Sequence, residues 1–211
     1  MEPPGNQQYL STIQPEYRNL GFASEVTRLF WDYPDENILK VDEVNDQEKV
    51  KRTLRFLRRL NIIDGEELTY SGVWLATVFE EPKQQSLNES SRNIGQKDEL
   101  SAREQEGYLS LLTGNHWLPM LATVHHISKD KVPKQRSDRP VSRFAQRINH
   151  LEPYSGISHS ALRTRANVHY GWFHQLGLAK VRDTQLVLTD AGTSFEREVK
   201  EHYPADWAQF E

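Results

Sequence analysis

The clearest pattern in the chain is a stretch of apolar residues at helical spacing, residues 47–61. Val50, Leu54, Leu57 and Leu60 follow one another at steps of four, three and three residues. This spacing places them on one face of a helix. The pattern therefore predicts an amphipathic helix whose apolar face is buried.

Local signals define the elements around this helix. Asn45 or Asp46 is suited to cap it, because a short side-chain oxygen accepts a hydrogen bond from the free N–H groups of the first turn. Beyond it, Asp64-Gly65 separates two apolar runs and predicts a tight hairpin turn. The helical pattern returns after Gly72, so the predicted order is helix, hairpin, helix.

An earlier helix is predicted from Ser24, as its cap, through Trp31. It ends near Tyr33 because Pro34 disfavours helical backbone in the residue before it. A short apolar segment, residues 38–44, separates this helix from the next.

The second half of the chain shows the same order with a longer hairpin. Ser158 or Ser160 is suited to cap a helix that runs to Leu176, and residues 181–188 predict a hairpin that turns near Asp183. Upstream, the sequence predicts a helical region over residues 108–126 with interruptions near Gly114 and Pro119, a basic loop over residues 129–139 and a short helix over residues 141–151, which carries Phe144 and Ile148.

An internal repeat links the two halves. The runs Leu60-Asn61-Ile62 and Leu68-Thr69-Tyr70-Ser71-Gly72 match Leu176-Gly177-Leu178 and Leu188-Thr189-Asp190-Ala191-Gly192. The two L-T-x-x-G segments lie 120 residues apart, a distance that suits two copies of one domain and not a solenoid repeat.

Both copies resemble the winged helix-turn-helix superfamily, and the shared runs are Leu57–Ala76 and Phe173–Phe195. The resemblance implies a mainly α fold with small β-hairpin wings (α+β), as a tandem winged helix. It also implies that the third helix of each domain enters the DNA major groove while the hairpin contacts the backbone. The expected layout is an N-terminal arm (1–15), a first winged-helix domain (16–82), a polar linker (83–103), a second winged-helix domain (104–202) and a C-terminal tail (203–211).

Charge is unevenly distributed along the chain. The whole chain carries 26 basic and 30 acidic side chains, but Lys129–Arg182 contains 11 basic residues and only 3 acids. Such asymmetry is typical of a surface that faces a polyanion. A solvated surface that happens to be basic is the alternative.

Helical geometry divides the second recognition helix into two faces. Leu162, Ala166, His169, Phe173 and Leu176 form the predicted core face. Arg and Asn read guanine and adenine edges, and the opposite face carries Arg163, Thr164, Asn167, Gly171 and His174, with Arg165 at its flank. Gly171 either admits a sugar–phosphate backbone or packs against another helix.

The remaining candidates are cations that would contact phosphates. In the second half these are Arg143, Arg147, Lys180 and Arg182, together with Lys129, Lys131, Lys134, Arg136 and Arg139 of the basic loop. In the first half they are Lys51, Arg52, Arg55, Arg58 and Arg59.

Other chemistry is not indicated. The chain has no cysteine, and we find no P-loop, Gly-rich dinucleotide loop, G-x-S-x-G or H-E-x-x-H. His125-His126 are adjacent, and His169 and His174 lie five residues apart, so neither pair has the spacing of a helical metal site. We expect no catalysis, metal or cofactor. The five tryptophans suit core or interface positions, and Trp172 is the one expected to face a partner.

Mean hydropathy is −0.74, no apolar run is long enough to span a bilayer, and the N-terminus lacks the features of a signal peptide. We therefore expect a soluble, cytoplasmic protein without membrane contact. The tail, with Trp207 and Phe210, either docks on a partner or folds back.

Two functions follow as expectations. The first is duplex DNA binding by both recognition helices, with the second as the main reader, in a transcriptional regulator or in the DNA-recognition subunit of a larger complex such as a restriction or defence system. The alternative is a non-catalytic scaffold whose basic faces bind acidic protein partners. The sequence leaves dimerisation open.

Overall fold

A computed structural model describes residues 19–80, 97, 99–130, 132–133, 144, 158–183 and 185–211. They divide into two compact units, a first unit of Asn19–Leu111 and a second unit that contains Leu112–Glu211. The described residues are mainly helical with small antiparallel sheets, which confirms the expected mixture of helices and β-hairpins. Within these residues, no helix combines the length and the apolarity needed to cross a membrane.

The first unit packs helix α1 against α2 and α3. Its hairpin pairs Ile63 with Leu68 and Asp64 with Glu67. The elements are α1 (Leu20–Asp32), a 3-10 helix (Ile38–Lys40), α2 (Gln47–Arg59), β1 (Ile63–Asp64), β2 (Glu67–Leu68), α3 (Tyr70–Thr77) and the beginning of α4 (Ala102–Asn115).

The predicted amphipathic helix is confirmed as α2. Asp46 caps it, since its Oδ1 accepts a hydrogen bond of 2.9 Å from the Lys49 N–H. The predicted apolar face, Val50, Leu54, Leu57 and Leu60, is buried.

The predicted start of α1 is wrong. Asn19, not Ser24, caps this helix, and its Oδ1 accepts a hydrogen bond of 2.9 Å from the Phe22 N–H. Ser24 lies inside the helix, is buried, and donates a hydrogen bond to the Glu104 carboxylate. A tertiary partner therefore takes the hydroxyl that the sequence assigned to a cap.

The described end of the predicted linker belongs to the first unit. Lys97 is 3 % exposed, its Nζ lies 3.1 Å from a Glu104 carboxylate oxygen, and its backbone N–H donates to Glu25 over 3.1 Å. Glu104 also accepts a hydrogen bond of 2.8 Å from the Ser101 N–H. Because a buried charge is tolerated when it is paired and hydrogen-bonded, this network holds the segment in place, and the first unit extends to Leu111 instead of ending at residue 82.

The second unit contains a three-stranded antiparallel sheet in the order β3-β5-β4. Of the two predicted caps, Ser158 and not Ser160 caps α6, and its Oγ accepts a hydrogen bond of 3.3 Å from the Ala161 N–H. The elements are α5 (Trp117–Lys129), β3 (Val132–Pro133), α6 (His159–Gln175), β4 (Ala179–Arg182), β5 (Gln185–Leu188), α7 (Asp190–His202) and α8 (Pro204–Ala208).

The structure corrects the prediction for the basic loop and decides between the two alternatives for the C-terminal tail. The segment predicted as a basic loop contains strand β3, because Val132 pairs with Leu186 and buries its side chain. The C-terminal tail folds back: Trp207 and Phe210 are buried, and their rings lie 4.8 and 6.2 Å from the ring of His125. Phe144 is helical and buried, and the rest of the predicted helix over residues 141–151 lies outside the described residues.

The two copies of the internal repeat form equivalent backbone hydrogen bonds. The Thr69 N–H donates to the Ile62 carbonyl over 3.0 Å, and the Thr189 N–H donates to the Leu178 carbonyl over the same distance. Asn61, which precedes Ile62, has a φ of 55°, and its counterpart Gly177 has a φ of 69°. Each left-handed residue ends a helix and turns the chain into its hairpin.

The hydroxyl group of each repeat threonine bridges two elements. Thr69 Oγ1 donates to the Asn61 carbonyl over 2.6 Å and accepts from the Gly72 N–H over 3.2 Å. Thr189 makes the same two bonds, at 2.5 Å to the Gly177 carbonyl and at 3.1 Å from the Gly192 N–H. Residues 50–62 therefore correspond to residues 166–178, and residues 68–77 correspond to residues 188–197.

Both repeat glycines are buried where no side chain fits. A Cβ on Gly72 would collide with the Ile62 carbonyl oxygen, and one on Gly192 with the Leu178 carbonyl oxygen. We expect Gly72→Ala and Gly192→Ala each to lower the free energy of unfolding of its own unit by about 1–3 kcal/mol, because the backbone must shift. Urea unfolding of the full chain measures this effect.

Gly114→Ala is the matched control. Gly114 lies in α4, and, apart from its chain neighbours and its own helix backbone, no atom of the described residues lies within 4 Å of the point that a Cβ would occupy there. Alanine should therefore raise stability by up to about 1 kcal/mol through its helix propensity. Equal losses in all three variants would contradict the steric explanation.

Candidate nucleic-acid interface

The register of the repeat identifies the outward faces of α2 and α6. Positions 51, 55 and 58 of α2 correspond to positions 167, 171 and 174 of α6. In α2 they carry three exposed cations, Lys51, Arg55 and Arg58, and in α6 they carry Asn167, Gly171 and His174. Neither face carries an acid at these positions, although the two faces differ in charge.

The cations of α2 are partly organised by neighbours. Lys51 forms an ion pair of 2.7 Å with Glu48, and Arg58 donates a hydrogen bond of 3.1 Å to the Gly65 carbonyl. The hydrogen bond from Lys51 holds the pKa of Glu48 below its usual range, and the charges of Lys51, Arg52 and Arg55 act in the same direction. Arg52 and Arg59 are half-buried and contribute less to the outward face.

A groove of about 280 Å³ lies between α2, the 3-10 helix and the turn of the first hairpin. Its floor includes the buried side chains of Phe30, Ile38 and Leu54. Its remaining lining includes charges of both signs: Lys51, Arg55, Arg58, Glu36 and Glu66.

The two hairpins carry opposite charge. The first exposes acids at Asp64, Glu66 and Glu67. The second exposes Lys180 and Arg182, and the Arg182 guanidinium lies 3.8 Å from an exposed carboxylate, Asp183. Phosphate attraction is therefore expected from the second hairpin and not from the first. Prediction from the sequence considered helical faces and basic clusters and did not notice that the first hairpin is acidic. The run Asp64-Gly65-Glu66-Glu67 contains the signal that could have shown this.

The predicted DNA-contacting residues of α6 differ in their exposure to solvent. Arg163, Thr164 and Asn167 are half-buried and His174 is exposed, so these side chains reach the surface. Arg165 is 6 % exposed, and its prediction as a flanking DNA contact is wrong. Its counterpart in the repeat, Lys49, lies over the Phe22 ring at 3.8 Å, so this position faces the body of the unit in both copies.

The structure also bears on the predictions for Trp172 and for the phosphate contacts. Trp172 is fully buried beside His116 and His169, with ring centroids 5.8 and 5.1 Å away, so it does not face a partner. Lys129 is exposed. The remaining predicted phosphate contacts lie outside the described residues: Arg143, Arg147, Lys131, Lys134, Arg136 and Arg139.

The inward face of α6 contains a buried histidine. His169 is 1 % exposed and packs edge-on against the rings of Trp172 and Phe144, at 5.1 and 6.3 Å. Burial lowers the pKa of His169 to about 3, and the charges of His116 and Arg165 act in the same direction. His169 is therefore neutral at physiological pH and serves as a core residue. Among the described residues, no group of three His, Asp or Glu is placed to hold a metal ion.

Comparison of the chain with protein-family models, with curated proteins and with solved structures finds no match.

The pKa of His169 predicts acid sensitivity of the second unit. The unfolded state binds a proton below about pH 6.5, whereas the native state does so only near pH 3, so stability falls as the pH drops through this interval. At pH 5 the loss from this group is about 2 kcal/mol. We expect His169→Leu to reduce the pH dependence of the free energy of unfolding by this amount, measured by urea unfolding between pH 7 and 5.

His202→Ala is the control, because His202 is exposed on α7. A His169→Leu variant with the same pH dependence as the wild type would show that His169 is not the group responsible.

Proposed function

We propose that the chain is a duplex-DNA-binding protein built from two winged helices. The observation that carries the proposal is the shared outward face of α2 and α6, which presents Lys51, Arg55 and Arg58 in one copy and Asn167 and His174 in the other. Cations and amides are the groups that contact phosphates and base edges. The protein would act without catalysis, as a transcriptional regulator or as the DNA-recognition subunit of a larger complex.

The two copies would make different contacts with the DNA. In the second, Lys180 and Arg182 on the hairpin would contact phosphates while Asn167 on α6 reads a base edge, which fits the helix-and-wing mode of docking. In the first, α2 would supply the phosphate contacts, since the acidic hairpin beside it repels the DNA backbone. Half-buried Arg163 and Thr164 would assist Asn167.

One observation favours a second candidate function. The groove of the first unit combines an apolar floor with charges of both signs, and such mixed surfaces suit a protein partner better than a polyanion. A scaffold that binds acidic partner subunits is therefore the second candidate. The two functions differ in salt response, because each neutralised phosphate releases counterions.

The first test measures binding of the full chain to a labelled random-sequence duplex by fluorescence anisotropy, in salt from about 50 to 200 mM. We expect affinity that falls steeply and linearly on a logarithmic salt scale. Absence of binding at the lowest salt would contradict the proposal and favour the scaffold.

Lys180→Ala with Arg182→Ala tests the second hairpin. Both side chains are exposed, so the variant should fold, and the logarithmic salt slope should become shallower by about 2 if both contact phosphates. The matched control is Lys40→Ala with Arg197→Ala, which removes two exposed cations outside the proposed interface. A change in the control as large as that in the hairpin variant would show that overall charge alone governs binding.

Lys51→Ala with Arg55→Ala tests α2 in the same assay. Alanine preserves helix propensity at these exposed positions, so we expect native stability, weaker affinity for all sequences and a salt slope shallower by about 2. Unchanged affinity would remove α2 from the interface and leave the second unit as the sole DNA-binding element of the proposal.

A further inference from the structure

Asn167 lies at the midpoint of α6, on the outward face of the helix. The helix begins at His159 and ends at Gln175, so Asn167 is equally far from both ends. The side chain is half-buried and therefore reaches the surface. Among the described residues, its amide has no hydrogen-bond partner. The amide is therefore available to a partner outside the chain.

The repeat shows that the fold does not require an amide at this position. Asn167 corresponds to Lys51 of α2, and Gly171, one turn later, corresponds to Arg55. Lys and Arg are good helix formers, whereas Asn and Gly are poor ones. Helix α6 therefore carries two residues that disfavour a helix at positions where α2 carries two residues that favour one. Helix formation does not explain their presence on this face.

Gly171 leaves the surface beside Asn167 without a side chain. The two residues are four positions apart, which makes them neighbours on one helical face. Asparagine has a short side chain, so its amide reaches a base edge only if the helix backbone comes close to that base. A glycine at the next turn permits such an approach, whereas the long side chain of Arg55 extends from the same position of α2.

An amide differs from a cation in its hydrogen-bonding capacity. Lys and Arg side chains only donate, whereas an Asn side chain both donates and accepts. In the major groove, guanine presents two acceptors, cytosine presents a donor, and thymine presents an acceptor and a methyl group. Adenine alone presents an acceptor, N7, beside a donor, the N6 amino group. An amide that forms two hydrogen bonds to one base therefore selects adenine.

We propose that Asn167 is a specificity-determining residue that recognises an adenine in the major groove. The amide N–H donates to adenine N7, and Oδ1 accepts from the N6 amino group. This inference rests on the proposed DNA binding and adds the identity of a base to it. Lys51 and Arg55 cannot accept a hydrogen bond from the N6 amino group, so the adenine contact belongs to the second copy.

The test begins with selection of preferred sites from a randomised duplex pool by the full chain, followed by fluorescence anisotropy on the selected duplex. We expect a position at which adenine is preferred. Exchange of that A·T pair for G·C should weaken wild-type binding about tenfold or more. Replacement of the adenine by 7-deazaadenine, which lacks the N7 acceptor and still pairs with thymine, should weaken it about threefold or more.

Asn167→Ala should bind the adenine and 7-deazaadenine duplexes equally, because it has no amide to pair with N7. The variant should keep its fold, since alanine is the better helix former. Lys51→Ala is the matched variant in the first copy, and it should weaken binding to every duplex while the adenine preference persists. The control for the DNA is 7-deazaadenine at an adenine outside the preferred position, which should not change wild-type binding.

The outcomes separate this inference from the proposed function. DNA binding without a preference for adenine would overturn the inference and leave the proposed function standing. A preference that Asn167→Ala retains, or that 7-deazaadenine does not weaken, would have the same consequence. Absence of DNA binding by the wild type at the lowest salt would overturn both.

Discussion

The hydroxyl groups of Thr69 and Thr189 hold the architecture of the two repeats. Each donates to a carbonyl at the end of one helix, on Asn61 or Gly177, and accepts from a glycine N–H in the first turn of the next helix. The hairpin between the helices is thereby closed at its base. Helix, hairpin and following helix are fixed relative to one another by one side chain and by a glycine that allows close approach of the backbone.

This constraint leaves the outward positions free to differ. The outward face of α2 is cationic and its hairpin is acidic, whereas α6 is polar and its hairpin carries Lys180 and Arg182. The same holds for the following helices: α3 exposes Tyr70, Val73 and Trp74, whereas the corresponding positions of α7 carry Asp190, Thr193 and Ser194. Because both copies form the same junction, these outward differences are compatible with one shared fold.

Both units contain buried polar side chains, and the two units accommodate them in different ways. In the first unit the Glu104 carboxylate is compensated by Lys97, Ser24 and the Ser101 N–H. In the second unit His169 lies among aromatic rings and remains neutral because burial disfavours its charged form. The first arrangement ties a distant segment to its unit, and the second is the basis of the acid sensitivity that we predict for the second unit.

The sequence by itself determined the elements and the repeat. Helical spacing located α2, and capping signals narrowed two helix starts to Asn45 or Asp46 and to Ser158 or Ser160. The L-T-x-x-G segments located both junctions. These signals depend on neighbouring residues and are therefore readable from the sequence. Tertiary structure alone decided that Ser24 is a buried donor, that Lys97 belongs to the first unit and that Val132 forms a strand. It also decided that Arg165 and Trp172 are buried while Tyr70 is exposed. Helical geometry gives the direction of a side chain relative to its own helix, but burial depends on which other elements pack there, and those partners lie up to 80 residues away along the chain.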